Sequence, residues 1–288
     1  MNAFKYTRQL AVGSSMAALA LARVADAGTV VVTPANMNGW TLNSFDNNGN
    51  IVNSGPYYSP NTQMVYGPAT PPLGPGSAQL ATPTGAGDGA AAIATEQYDG
   101  TLLSAVTALS YSAYDQVNNG SQFPYLALSI NTGAVDNSGD AGALANTLDT
   151  LFFEPPYQTP STGNPGLPNQ GATQQNLWQT WNAQTGGWWD NDGIGNPGTG
   201  VLPLSTFMTD FPDATIQNGG FAGLGGIALQ VGFGSSGETE IGNVDNFTIG
   251  TLLGSTTYEF APVPEPTSTT LLLAGSGLLL MRRRRRVG

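Results

Sequence analysis

Residues Tyr125–Asn131 read Tyr-Leu-Ala-Leu-Ser-Ile-Asn, and this stretch indicates the fold class. Its large apolar residues alternate with Ala127 and Ser129, which is the pattern of a half-buried β-strand. Similar short apolar runs recur between turns along a chain that contains 39 Gly and 20 Pro. This spacing favours an all-β sandwich. Strands are predicted at 29–33, 40–43, 79–82, 91–98, 108–115, 125–131, 150–154, 177–182, 215–217, 226–233, 244–249 and 256–260, and one helix at 204–211.

The start of the chain has the composition of a secretory signal peptide. Two basic residues precede an apolar, alanine-rich stretch at 10–21, and Ala25-Asp26-Ala27 follows as an A-x-A cleavage site. Cleavage there makes Gly28 the first residue of the mature protein. The segment therefore predicts export through the Sec machinery and is excluded from the folded body.

The end of the chain has three parts in a fixed order. They are Val263-Pro264-Glu265-Pro266, an apolar run at 271–281, and the basic residues Arg282, Arg283, Arg284, Arg285 and Arg286. A helix rises about 1.5 Å per residue and a bilayer core is about 30 Å thick, so this run forms only a marginal membrane anchor. Arginine after the run predicts a cytoplasmic C-terminus, with the body on the other side of the membrane.

These three parts together resemble the PEP-CTERM sorting signal of exported bacterial proteins. The resemblance implies an exosortase-type membrane enzyme as a partner and a transient anchor in the inner membrane. After processing, the protein would reach the cell surface or the extracellular space. The alternative is a membrane anchor that is never processed, in which the Pro-Glu-Pro triplet has no role. The predicted organisation is a signal peptide at 1–27, a single β-sandwich at 28–260 and a sorting signal at 261–288.

The charged side chains of the body are all negative. All eight Lys and Arg residues lie in the two terminal segments, and the chain contains no His and no Cys. Residues 28–263 hold seventeen of the nineteen acidic residues, since only Asp26 and Glu265 lie outside them. Without cations the body cannot neutralise phosphates, which excludes nucleic acid as a partner. The missing residue types also exclude catalytic triads, cysteine nucleophiles, His- or Cys-based zinc sites and disulfides.

Two segments of the body resemble known β-sandwiches. Residues 227–233, followed by Gly-Asn-Val-Asp-Asn-Phe-Thr-Ile-Gly at 242–250, are similar to the last strands of concanavalin-like and carbohydrate-binding jelly rolls. Residues 178–190 resemble a segment of other exported β-sandwich proteins. The resemblance implies a single jelly-roll sandwich.

Four tryptophans lie between residues 178 and 189. Trp188 and Trp189 are adjacent, so on an extended chain their rings point to opposite faces, and one is expected to be exposed or at a sheet rim. An exposed indole is a platform for the apolar face of a sugar. The alternative is that both rings fill the core or its rim.

Acidic loops are candidate calcium sites, and structural Ca²⁺ is the one cofactor considered. Asp136, Ser138 and Asp140 have the alternating oxygen spacing of the first half of an EF-hand loop. The full motif fails, because Ala141 replaces its glycine and Thr147 its final glutamate. A looser calcium loop and a simple Asx turn both remain open. For a further acid, Asp245, the jelly-roll resemblance implies a calcium ligand, and the alternative is a polar-face side chain.

The acids offer little for catalysis. Glu238 and Glu240 form a close glutamate pair, but they lie in a predicted turn rather than on a strand, so no catalytic residue and no enzyme activity are predicted. The expected function is an exported structural or interaction component of a cell-surface or exopolysaccharide layer. A carbohydrate-binding module with a tryptophan platform is the alternative, and a glycoside hydrolase that uses carboxylates alone is a third possibility.

Overall fold

A computed structural model describes residues 25–46, 50–55, 62–82, 89–118, 122–138, 147–190, 193–217, 225–232 and 239–262. The predicted apolar stretch at 10–21, Asp140, Glu238 and the sorting residues 263–288 lie outside these ranges. In the described part of the chain, no helix has the length and apolar character that crossing a bilayer requires.

The described residues are organised almost entirely as β-strands. In chain order they are β1 (Ala25–Val32), β2 (Trp40–Phe45), β3 (Ile51–Gly55), β4 (Gln63–Tyr66), β5 (Gly76–Ala81), β6 (Ala90–Thr95), β7 (Val106–Val117), β8 (Tyr125–Asn131), β9 (Leu148–Phe153), β10 (Gln179–Asn182), β11 (Gly187–Asp190), β12 (Leu202–Pro203), β13 (Thr215–Ile216), β14 (Ile227–Gly232), β15 (Ile241–Thr251) and β16 (Gly254–Phe260). The helix α1 spans Leu204–Asp210, and 3₁₀ turns span Leu103–Ala105, Pro155–Tyr157 and Gly198–Gly200. Every predicted strand overlaps one of these, whereas β3, β4, β11 and β12 were not predicted.

The strands form two sheets. In the first, β1, β16, β15, β5 and β4 are neighbours in that order, and β7 pairs with β15 and with β10. In the second, the order is β12, β11, β9, β8, β14, β6, β2 and β3, with β13 also on β8. The prediction of an all-β body with two sheets is confirmed. The jelly-roll topology stays a prediction.

The main core lies between the sheets. Trp40 from the second sheet packs edge-on against three aromatic rings of the first, with centroid distances of 5.4 Å to Phe247, 5.2 Å to Tyr258 and 5.1 Å to Phe260. The apolar side chains of β8, β9 and β14 join the same core. Edge-to-face aromatic pairs each add about 0.5–1.5 kcal/mol beyond the area that they bury.

The outer face of the second sheet carries a separate apolar cluster. It contains Phe45, Ala90, Ala92, Ala94, Tyr125, Ala127, Phe152 and Ala228, with Trp189 packed against it. The prediction that β8 is half-buried was therefore wrong, because Ala127 and Ser129 are buried as well as the core-facing residues. Alanine and serine occur on both solvated and covered sheet faces. The alternation therefore predicted the strand, but it could not predict whether the face with Ala127 and Ser129 is buried.

The first and last described strands, β1 and β16, lie side by side and run parallel. Strand β1 begins at Ala25, so it includes the predicted cleavage site, which stands before the predicted start of the body at residue 28. The regular register begins at Gly28, opposite Thr256, after an irregularity that follows Ala25. Cleavage before Gly28 would therefore remove one strand pair and keep the regular part of the ladder.

Candidate functional site

The two adjacent tryptophans of β11 point to opposite sides of the second sheet. Trp188 is fully buried in the main core, where it packs on Phe153 and its indole N–H donates to the Ala183 carbonyl at 2.8 Å. Trp188 therefore fills the core, which is the alternative that the sequence left open, and it presents no accessible ring face. Trp189 lies on the outer face and stays partly exposed. Of this pair, Trp189 alone can meet a ligand.

Trp189 belongs to a row of aromatic rings across three strands. It stacks on Phe152 of β9 with a centroid distance of 4.7 Å and an interplanar angle of 28°. Phe152 in turn lies 6.2 Å from Tyr125 of β8. Because Trp189 pairs with Phe152 across the ladder, the stack follows from strand register and fixes the indole plane.

Glu154 completes a small site at one end of this row, and we call Trp189, Phe152 and Glu154 the aromatic corner. Glu154 follows β9 directly and remains partly exposed. Burial raises the pKa of its carboxyl group to about 7, and the nearby Trp189 indole lowers it by a smaller amount. The indole N–H is nevertheless buried without a well-formed hydrogen bond. The corner thus holds an incompletely paired carboxylate and an incompletely paired N–H donor.

The long loop before β10 holds the corner in place through glutamine side chains. Gln158 is buried, its amide nitrogen donates to the carbonyl oxygens of Glu154 and Gly187 at 3.0 Å each, and its oxygen accepts the Gly187 N–H at 2.8 Å. Gln170 makes the same kind of pair with Asn182, donating at 3.0 Å and accepting at 2.7 Å. Each side-chain amide thus pairs with the backbone N–H and C=O of one residue, as a neighbouring strand would. These bonds take the place of ion pairs in a body that has no Lys, Arg or His.

Gln230 lies farther along the same face, between Ala92 of β6 and Tyr125 of β8 in the ladder. Its side chain is fully buried, and neither its amide oxygen nor its nitrogen has a hydrogen-bond partner. An unpaired buried amide costs stability, so this residue is an energetic weak point of the outer cluster.

Asp245 lies on the outer face of the first sheet, but it is fully buried. One carboxylate oxygen accepts the Leu73 N–H at 2.9 Å and the other accepts the Phe260 N–H at 3.0 Å. Burial raises the pKa of Asp245 to about 7, against the lowering effect of these bonds. Both oxygens therefore help to join a surface loop to the end of β16, and the side chain is buried rather than solvated.

The predicted calcium loop is partly described. Asp136 accepts both the backbone N–H of Ser138 at 2.8 Å and its hydroxyl at 2.6 Å, and these bonds lower the pKa of Asp136. Asp210 lies close enough for the Asp136 charge to add to the burial that raises the pKa of Asp210. Within the described ranges, no three acidic side chains cluster as a metal site. The loop has the Asx turn that the sequence allowed, and the sequence had not indicated Asp210 as its neighbour.

Glu240, one of the candidate acids, is buried at the start of β15. Its carboxylate accepts the Gly232 N–H at 3.3 Å, and its own N–H donates to the Thr82 hydroxyl at 3.0 Å. These contacts give it a structural role at the junction of the sheets.

The last described residues are firmly docked. Phe260 is fully buried beside Trp40, and the Ala261 N–H donates to the Val32 carbonyl at 2.9 Å. Pro262 lies so close to Gly76 that a side chain on this glycine would overlap it. The body therefore extends to Pro262, slightly beyond the predicted boundary at residue 260.

The comparisons with known proteins concern the end of the chain. Residues 262–286 match the PEP-CTERM protein-sorting motif. No curated protein and no solved structure matches the chain. The motif begins at Pro262, the last described residue, and it marks the chain as an exported, surface-directed protein that an exosortase recognises.

Proposed function

We propose that this protein is a non-catalytic component of a bacterial cell-surface or exopolysaccharide layer, which an exosortase-type enzyme releases from a transient membrane anchor. The observation that carries the proposal is the PEP-CTERM motif, which begins at the docked residue Pro262. Removal of both terminal segments would leave a body with no Lys, Arg or His. Such a body has no attraction for phosphates or anionic lipids and stays in the aqueous layer.

The test is the intact mass and location of the protein in cells with and without the sorting enzyme. In cells that contain the enzyme, we expect a product that starts at Gly28, lacks the five C-terminal arginines and fractionates with the extracellular polysaccharide. Cells without the enzyme should retain the longer form in the membrane fraction. A product that keeps Gly288 in both strains would refute processing and favour a permanent anchor.

The alternative function is carbohydrate binding through a tryptophan platform, for which Trp189 is the accessible ring of the adjacent pair. Its support is the partly exposed indole, held in one plane by its stack on Phe152. Retention of the protein on immobilised glycans, with loss of retention in Trp189→Ala but not in Trp178→Ala, is the result that this function requires.

Two further possibilities have weaker support. Calcium would be a structural ion at the loop of Asp136 and Ser138, where the Asp210 carboxylate is a neighbour. A carboxylate-only hydrolase needs two acids on opposite sides of a sugar, and the buried, bonded position of Glu240 speaks against it. Release of new reducing ends from a polysaccharide panel would contradict the non-catalytic assignment.

A further inference from the structure

Glu154 is partly exposed, and its partners differ from those of the buried acids Asp245 and Glu240. Asp245 accepts two backbone N–H groups and Glu240 accepts one. Beside Glu154, by contrast, the neighbouring donor is the indole N–H of Trp189, which does not form a well-aligned bond. A desolvated carboxylate with so little compensation attracts a cation more strongly than a hydrated one, because the local dielectric is low.

No side chain of the body can supply the required cation. Residues 28–263 contain no Lys, Arg or His, so apart from the α-amino group created by cleavage before Gly28, each of their seventeen acids can pair only with a cation from outside. The excess of negative charge also steers a cationic ligand toward the protein over long distances at low salt.

The geometry beside Glu154 suits an organic cation better than a bare metal ion. One face of the Trp189 ring is covered by Phe152, and the ring remains partly exposed. An indole face attracts an ammonium group through its π-electrons and also accepts the apolar face of a sugar. A metal ion would need several oxygen ligands, and the described residues provide no group of three acids.

From these observations we propose that the aromatic corner binds an amino sugar, whose ammonium group pairs with the Glu154 carboxylate while its ring stacks on Trp189. The partner is a cationic, amine-bearing polysaccharide rather than a neutral or anionic one. This inference rests on the proposed role in a polysaccharide layer and adds the chemical class of that polysaccharide.

The test compares two oligosaccharides of equal length, fully deacetylated glucosamine oligomers and their N-acetylated counterparts, by titration calorimetry on the exported protein. Expected is binding of the amine form at least about tenfold tighter than that of the acetylated form. Glu154→Gln, which keeps the shape of the side chain, should weaken binding of the amine form about tenfold or more, and Trp189→Ala should do the same.

Glu259→Gln is the matched control, because it removes one negative charge from the other sheet. It should leave affinity within about twofold of the parent, at low salt and at physiological salt. Thermal melting of each variant checks folding, and if Trp189→Ala does not fold, Glu154→Gln still decides the question. Equal losses in Glu154→Gln and Glu259→Gln would overturn the proposal in favour of diffuse charge attraction.

Equal binding of both oligosaccharides would also overturn the amine preference, but it would leave a role in a polysaccharide layer intact. Failure of the protein to leave the membrane or to fractionate with polysaccharide would instead refute the proposed function, whatever the calorimetry gives. The two ideas can therefore fail separately.

Discussion

The glutamine that joins the long loop to β11 offers a sharp test of how this cation-free body is stabilised. Gln158→Ala removes three hydrogen bonds and leaves the N–H and C=O of buried Gly187 without this partner, while the Glu154 carbonyl keeps its bond from the Tyr157 N–H. Each such bond contributes about 0.5–1.5 kcal/mol, so we expect the free energy of unfolding to fall by about 2–4 kcal/mol. For a body of this size that corresponds to a melting temperature lower by about 6–12 °C.

Gln170→Ala is the matched control, since the same residue type there pairs with one backbone N–H and one C=O, at the surface. Water can replace both partners, so the expected loss is about 1 kcal/mol or less. A third variant, Gln158→Glu, keeps the acceptor for Gly187 but turns an oxygen toward two carbonyl groups, and it should destabilise at least as much as alanine at neutral pH. Urea unfolding followed by tryptophan fluorescence measures all three changes. Losses of equal size in Gln158→Ala and Gln170→Ala would refute the argument from burial.

Three further predictions concern the buried acids, the outer cluster and calcium. Because burial raises the pKa of Glu154 and Asp245 to about 7, both groups bind a proton more tightly in the folded state than in the unfolded state. The free energy of unfolding should therefore fall by about 4–6 kcal/mol for the two groups together as pH rises from about 4 to 7, since solvent screens part of the effect at Glu154. A calorimetric melting temperature that increases over this range would contradict the pKa directions. Gln230→Met removes an unpaired buried amide and should raise the free energy of unfolding by about 1–2 kcal/mol in urea, whereas destabilisation would indicate a hidden partner for the amide. If the Asp136 loop holds Ca²⁺, millimolar calcium should raise the melting temperature and Asp136→Asn should abolish that rise, so an unchanged midpoint with calcium or with a chelator argues against the site.

The strands were predictable where the sequence repeats apolar residues at every second position. Strand β8 matches its predicted bounds for this reason, and α1 closely matches the helix predicted at 204–211. Strand β12 was missed because it includes Pro203, and β11 because Gly187 and two tryptophans resemble a loop with an aromatic patch. Such strands are defined by their partners in the sheet and not by their own composition.

The candidate site was predictable only in part. Adjacent positions on an extended chain place Trp188 and Trp189 on opposite faces, but the sequence does not indicate which of them enters the core. The environment of Glu154 depends on Trp189, and that of Asp245 depends on Leu73, which is 172 positions away in the chain. Contacts across such separations leave no local periodicity, so the pKa shifts that they cause could not be inferred before the fold was known.

The parallel pairing of β1 with β16 has a consequence for the order of events during export. Strand β1 cannot pair with β16 until nearly the whole body has crossed the membrane. The first sheet is therefore completed only at the end of translocation. Since the two strands run in the same direction, Gly28 and Pro262 lie at opposite ends of the pair, about 20 Å apart at about 3.3 Å per residue. The two ends of the chain would therefore be cut at separate places on the folded body, and neither cut would disturb the other.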